Sequence, residues 1–359
     1  MTILYDGCVS RRTPPRNFRA EDASLFAHEL ERTIAPMRAL ELTNVNANGE
    51  GLLFKRGRVL RESFAAEEMY ARFRRLPFLI RNYLLRRRRK LPGRFLWITD
   101  DWSYGYFHWL ADALPRLFAA RELAATMTLL LPATCNVDFI RASLQLFDIA
   151  GIEYLGHDEV RVIDRLILPT HAAPSGSFND PLMRELRNFI LDAYGIDRSA
   201  KAHRRIYISR SRASKRRISN EEEVIAILRH FDFEIVHFEE HPFEEQVRIA
   251  AATKVMVSNH GAGLTNMLFM PEGGRILELR RAGERERNCF FNLASTARLD
   301  YYYQSCPQEH VEESPHSADV VVDVGGLKEN LELMLCDDVN PKADQIQPDR
   351  RSRELSDLL

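Results

Sequence analysis

The chain has 359 residues, enough for two hydrophobic cores, with 45% hydrophobic and 28% charged residues and a formal net charge of −1. Near-zero charge supplies no global field toward nucleic acid or membrane. Cys8, Cys135, Cys289, Cys306 and Cys336 are scattered without C-x-x-C spacing, which argues against structural zinc and a disulfide framework. No apolar window reaches bilayer-spanning length, and the first residues lack a basic, apolar leader. A cytoplasmic, reducing location is the expectation.

In chain order, Leu52–Phe54 and Arg58–Leu60 predict a hairpin around Lys55-Arg56-Gly57. Residues 64–90 carry helical spacing and end in a basic run, Arg86 to Lys90. Phe95–Ile98 reads as a buried strand. Helix is then predicted at 106–120, 136–149 and 180–194, and strand at 127–131 and 160–168. Polar residues 194–201 form a linker. In the second half, strands at 204–209, 233–237, 254–258, 275–279 and 299–304 alternate with helices from 220, at 242–252, 263–269 and 285–297. Ser219 is the expected N-cap of the helix from 220. Val320–Val322 predicts a further strand, 327–335 a closing helix, and 337–359 a disordered tail. The alternation implies an α/β fold of parallel sheets covered by helices, with two Rossmann-like domains, 1–195 and 196–336, facing each other across a cleft.

Lys254 to Asn266, KVMVSNHGAGLTN, places a tight turn between an apolar strand and a helix start. Amides at Gly261, Ala262 and Gly263 can face a phosphate, and glycines permit close approach. His260, Thr265 and Asn266 belong to the same cradle. Upstream, Arg205 to Glu221 runs RIYISRSRASKRRISNE. Arg210 emerges at a strand end, where a planar guanidinium suits a diphosphate. Arg212 and Arg217 are the next candidates, the other basic residues being a solvated loop. Glu278 lies in the apolar strand Ile276-Leu277-Glu278-Leu279, where a carboxylate accepts from a ribose diol. His108 and Asp112, in YFHWLADALPRL, sit one helical turn apart and can act as general base and partner. Pro115 must kink or shorten that helix. The acidic stretch around Glu240 and Gln246 mainly suits the start of a helix.

Taken in order, YFHWLADALPRL, RIYISRSR, the HGAG turn and PEGGRILEL resemble glycosyltransferase family 61 over residues 95–325. That family includes bacterial capsular-polysaccharide-type enzymes and eukaryotic xylosyl- and N-acetylglucosaminyltransferases. The resemblance implies a GT-B-like architecture and an inverting transferase working in surface or capsular polysaccharide synthesis. Residues 1–195 would bind a glycan or lipid-linked acceptor, and residues 196–336 a nucleotide-sugar donor. It also implies Asp112 as base, with His108 second and His260 third, and a site role for Glu240 and Gln246. The absence of Asp-x-Asp, with an arginine and a helix start at hand, predicts a metal-independent enzyme without cofactor. Many members have Gly where Asn259 stands. Two other classes are weighed. An NAD(P)-dependent oxidoreductase needs G-x-G-x-x-G and an acidic residue about twenty positions on. The turn has only the first two glycines, although Glu278 is suitably placed. A nucleic-acid-binding protein using the arginine clusters conflicts with the charge balance and the lack of interleaved aromatics. Arg86 to Lys90 is instead the expected contact to an anionic membrane.

Overall fold

The computed structural model describes residues 2–310, 312, 314 and 317–336; the expected tail at 337–359 lies outside them. The first half contains β1 (Thr2–Tyr5), β2 (Cys8–Arg11), β3 (Glu31–Ile34), β4 (Met37–Asn48), β5 (Leu53–Lys55), β6 (Arg58–Val59), β7 (Arg88–Leu96), β8 (Thr128–Pro132), β9 (Gly151–Leu155) and β10 (Val160–Pro169). Its eight-stranded sheet runs β6-β5-β4-β10-β7-β8-β9, with β1 pairing β4. The strands β10, β7, β8 and β9 are parallel, whereas β4 meets β10 antiparallel. The expected parallel sheet is therefore only part of this half, because a meander from the first 60 residues extends its edge. The run Arg88–Lys90 opens β7 instead of closing a helix. Its place beside Val160–Val162 on β10 fixes it as strand.

The second half is simpler. The strands β11 (Arg204–Ile208), β12 (Glu234–Val236), β13 (Thr253–Asn259), β14 (Arg275–Arg281) and β15 (Asp300–Cys306) form an all-parallel sheet. Its order is β12-β11-β13-β14-β15. Numbered within the sheet this is 2-1-3-4-5, a doubly wound order in which ligands bind where the winding reverses, beyond the carboxyl ends of the first and third strands. Those ends are Ser209-Arg210 and Asn259 to Gly263.

Several local expectations change. The helix predicted at 106–120 has a π-helical turn, Trp109–Ala113, between Tyr106–His108 and Leu114–Ala119. Pro115 has no N–H for the Ala111 carbonyl, and the wider turn absorbs the mismatch. The segment after the HGAG turn is a 3-10 helix, Ala262–Phe269, in which the Asn266 side-chain Nδ2 donates to the Gly263 carbonyl. Ser219 is not the cap of Glu221–His230: Asn220 holds that position and the Ser219 hydroxyl bonds Glu309. The helix expected from 285 begins at Cys289, because Arg280 and Asn288 bind the Glu284 and Arg285 carbonyls and hold 284–288 as a loop. Val320 makes single bridges to Ile218 and Gln308 in place of a strand.

The halves share one core. A continuous apolar cluster joins Trp109, Leu114, Leu129 and Leu186 of the first to Ile206, Met256, Leu268 and Phe291 of the second. Residues 8–34 leave the first half and pack along the second. There Arg12 donates to the Asn292 carbonyl (3.0 Å), Asn17 to the Tyr303 carbonyl (2.7 Å), and Asn288 donates back to the Leu25 carbonyl (2.8 Å).

Candidate active site

On the second half, the loop after β11 folds over the turn after β13. Arg216 adopts a left-handed backbone, φ 56°, which costs a non-glycine residue roughly 1–2 kcal/mol. Three hydrogen bonds hold it there. The Arg216 carbonyl accepts from Asn259 Nδ2 (2.8 Å) and Arg210 Nε (3.0 Å), and its amide donates to the Ser317 carbonyl (3.1 Å). Asn259, the residue that departs from the family pattern, thus fastens the arginine loop to the cradle. Strain fixed this firmly is a mark of functional positions.

Arg210 stands beside the cradle, but in a double role. Its Nε and Nη2 hold the carbonyls of Arg216 and Lys215, and its Nη1 lies against Gly261. A Cβ on Gly261 would sit 2.2 Å from that nitrogen, so any larger residue there would displace the Arg210 guanidinium. Arg212 is elsewhere, in an exposed ion pair with Glu240, and Arg217 pairs with Asp319. The residue beside Arg210 is Arg216. Its Nε is buried without a hydrogen-bond partner among the described residues. Burial, with Arg210 and Arg287 nearby, pulls its guanidinium down to about 10. The crevice it lines also holds Asn259, His260, Arg280, Arg281, Arg287 and Glu284, four guanidiniums to one carboxylate. Arg281 and Arg287 pair with Glu284, and Arg280 donates to Asn288 and the Glu284 carbonyl, so Arg216 is the guanidinium of this lining that an anion would satisfy. The arginine-rich stretch 280–287 was visible in the sequence and went unread.

Glu278 does not reach a ligand. It is fully buried, and its two oxygens accept from His260 Nδ1 (2.5 Å) and the Tyr301 hydroxyl (2.5 Å). Burial alone would raise its pKa, but His260, Arg280 and Tyr301 outweigh burial and keep it below the usual carboxylate range. Glu278 thus orients His260 at the lip of the crevice, and the ribose role expected of it fails for lack of access. Thr265 and Asn266 are buried behind the turn. The Thr265 hydroxyl has no partner among the described residues, and Asn266 accepts from Tyr106 of the first half (2.7 Å). Ala262 and Gly263 open the 3-10 helix, where the first amides have no partner inside the helix.

The first half carries a His–carboxylate pair. His108 Nδ1 lies 2.7 Å from Asp112 Oδ2, and the Ser175 hydroxyl donates to the same oxygen at 3.1 Å. The Asp112 side chain is 4% exposed and that of His108 25%. The buried carboxylate orients the ring, and the histidine meets solvent with Nε2 as its basic nitrogen. Trp102 stacks on His108 with ring centroids 4.8 Å apart. A second pair stands close by. Asp100 accepts from His171 Nε2 (2.9 Å) and the Ser103 hydroxyl (2.8 Å). Arg116, fully buried, donates twice to the Pro169 carbonyl and lends its charge to both Asp100 and Asp112. Asp100, Arg116, His171 and Ser175 were missed because they converge only through the fold. A chain of ring contacts connects the two histidines: His108 to Phe107 at 5.0 Å, Phe107 to Phe290 at 5.6 Å, and Phe290 to His260 at 4.9 Å.

Asp100 carries a consequence for stability. Burial opposes its charge, but His171, Arg116 and Ser103 prevail and hold its pKa at about 2, below the ordinary 3.8. A depressed folded value adds stability above the ordinary value, and that stability is lost as pH falls toward 2. Asp100→Asn is expected to remove about 2 kcal/mol of this acid-side loss. Urea melts of both proteins between about pH 5 and about pH 2 measure it, and parallel curves would show that other carboxylates set the slope.

Fold and crevice together define an α/β protein with an arginine-lined crevice at a sheet switch point and a His–carboxylate pair on its first half. The Glycosyltransferase 61 family model matches residues 106–277, a little under half of the chain. The chain is 34% identical over 131 residues to the EGF domain-specific O-linked N-acetylglucosamine transferase of Drosophila melanogaster, covering 35% of this chain and 25% of that protein. It is 31% identical over 100 residues to the protein O-linked-mannose β-1,4-N-acetylglucosaminyltransferase 2 of Xenopus tropicalis, covering 27% and 17%. The chain thus spans about a quarter or less of the length of these relatives. Among the described residues, no helix is long and apolar enough to cross a membrane.

Proposed function

We propose that the chain transfers a sugar, with inversion, from a nucleoside-diphosphate sugar to a hydroxyl of a glycan or lipid-linked acceptor. The observation that carries this reading is the guanidinium-lined crevice at the switch point of the second sheet, with His108 and Asp112 on the first half. The donor diphosphate sits against Arg216, Arg210 Nη1 and the amides of Ala262 and Gly263. His108 Nε2 takes the proton of the acceptor hydroxyl, and Asp112 stabilises the resulting imidazolium. The acceptor oxygen attacks the anomeric carbon as the bond to the diphosphate breaks. The departing charge is met by the arginines, so the step runs without a divalent cation. The two halves act as a GT-B-like pair, in a reducing compartment that suits five free cysteines. The capsular role rests on the family likeness alone. Both relatives are named for N-acetylglucosamine, which makes that sugar the first donor to test.

Titration calorimetry of the full chain in EDTA, against UDP, GDP, CMP and NAD, tests the reading. One nucleotide other than NAD is expected to bind. Binding only after addition of Mg²⁺ would overturn metal independence. Binding of NAD alone, or of none of the four, would overturn the transferase. The buried, doubly engaged Glu278 argues against NAD, since it leaves no acidic group for the ribose.

A further inference from the structure

We propose that the face built from residues 55–58 and 75–90 docks on an anionic lipid bilayer, with leucines entering the headgroup region and arginines on the phosphates. The helix Arg75–Ile80 continues into the π turn Arg81–Leu85. Phe78, Asn82 and Arg86 point inward at four-residue spacing and are buried. At the same spacing on the other side, Leu76, Ile80 and Leu84 are 69%, 44% and 77% exposed, and Leu85 is 76% exposed. Isolated exposed leucines are ordinary, but an aligned row of apolar side chains on one helix face marks a contact surface.

The charge around this row selects the partner. Arg86 is part of the scaffold: its guanidinium bonds Asn82 and Glu50, and Glu50 also takes Arg81. The basic run therefore acts through Arg87, Arg89 and Lys90, which are exposed and have no carboxylate partner among the described residues. The hairpin that carries the exposed Arg56 and Arg58 is held against the same face, its Gly57 amide bonding the Tyr83 hydroxyl. An open hollow of about 490 Å³ beside Leu85 is lined by Arg81, Arg86, Arg87, Arg89 and Arg161 together with Asp158 and Glu159, five guanidiniums to two carboxylates. An excess of cations over carboxylates, with Arg87, Arg89 and Lys90 unpaired among the described residues, beside a protruding apolar row matches an anionic interface, where charge draws the protein down and leucine burial retains it. A polyanion in water would use the arginines and leave the leucines idle.

Co-sedimentation of the full chain with phosphatidylcholine vesicles, with and without 30 mol% phosphatidylglycerol, decides this. Binding is expected to the anionic vesicles only. The triple variant Arg87→Ala/Arg89→Ala/Lys90→Ala is expected to weaken it about a hundredfold. The variant Leu76→Ser/Leu84→Ser/Leu85→Ser is expected to weaken it at least tenfold and to make what remains far more sensitive to salt. All six positions are exposed, so both variants retain the fold, which circular dichroism checks. Equal binding to neutral vesicles, no binding, or binding unaffected by the leucine changes would each overturn the proposal. Because no chemistry is read out, the result is independent of the transferase reading.

Discussion

His108→Gln is expected to lower sugar transfer by roughly 10²- to 10⁴-fold while leaving nucleotide affinity within about twofold of the parent. His108 is the more exposed member of the pair, 25% against 4% for Asp112, and the proposed nucleotide site belongs to the second half. Asp112→Asn tests the division of labour. An amide at that position can donate to Nδ1 and so favour the wrong tautomer, with a turnover loss approaching that of His108→Gln. If Asp112 were the base, its replacement would abolish transfer, while the histidine change would cost little. Steady-state kinetics with both variants, beside calorimetric nucleotide affinities, separate these outcomes.

Arg216→Gly is expected to weaken binding of the nucleoside diphosphate ten- to a hundredfold and at the same time to raise the melting temperature by roughly 1–2 °C. Both effects come from one residue. The side chain is a desolvated cation without a compensating carboxylate, and the backbone occupies a left-handed conformation that glycine adopts freely. Arg216→Ala removes the charge but keeps the backbone strain, so it is expected to lose binding without the full gain in stability. Arg212→Ala, on the exposed pair with Glu240, is expected to change affinity by less than twofold. A variant set in which Arg212 mattered more than Arg216 would displace the anion site from the crevice.

Most of the second half was readable from the sequence. Its strands are short apolar runs between helical stretches, and a parallel sheet with that rhythm must bind ligands at its carboxyl ends. The HGAG turn and Arg210 follow from that pattern alone. The choice between Arg212 and Arg216 does not, because it depends on a left-handed residue and on Asn259, 43 positions further along, capturing its carbonyl. Glu278 was misread for a related reason. Alternation places a side chain on one face of a strand, but not whether a neighbour such as Tyr301 seals that face. The first half was less legible. Its antiparallel edge is built by β4, twelve residues long with mixed burial, and Asp100, His171 and Ser175 meet only after β7 and β10 pair across about 70 residues.

Residues 8–34 bear on how far this chain is modular. The polar linker after residue 194 looks like the seam between two exchangeable parts. Yet the strap between β1 and β4, two strands of the first sheet, is fastened to the second half through Arg12, Asn17 and Tyr303, whose hydroxyl donates to Asp22. A donor half transplanted from a relative would arrive without its own strap and meet a foreign one. Recombination at the linker, by evolution or by design, therefore has to carry both pieces together, and new specificity is reached more readily by changing side chains along the crevice than by exchanging domains.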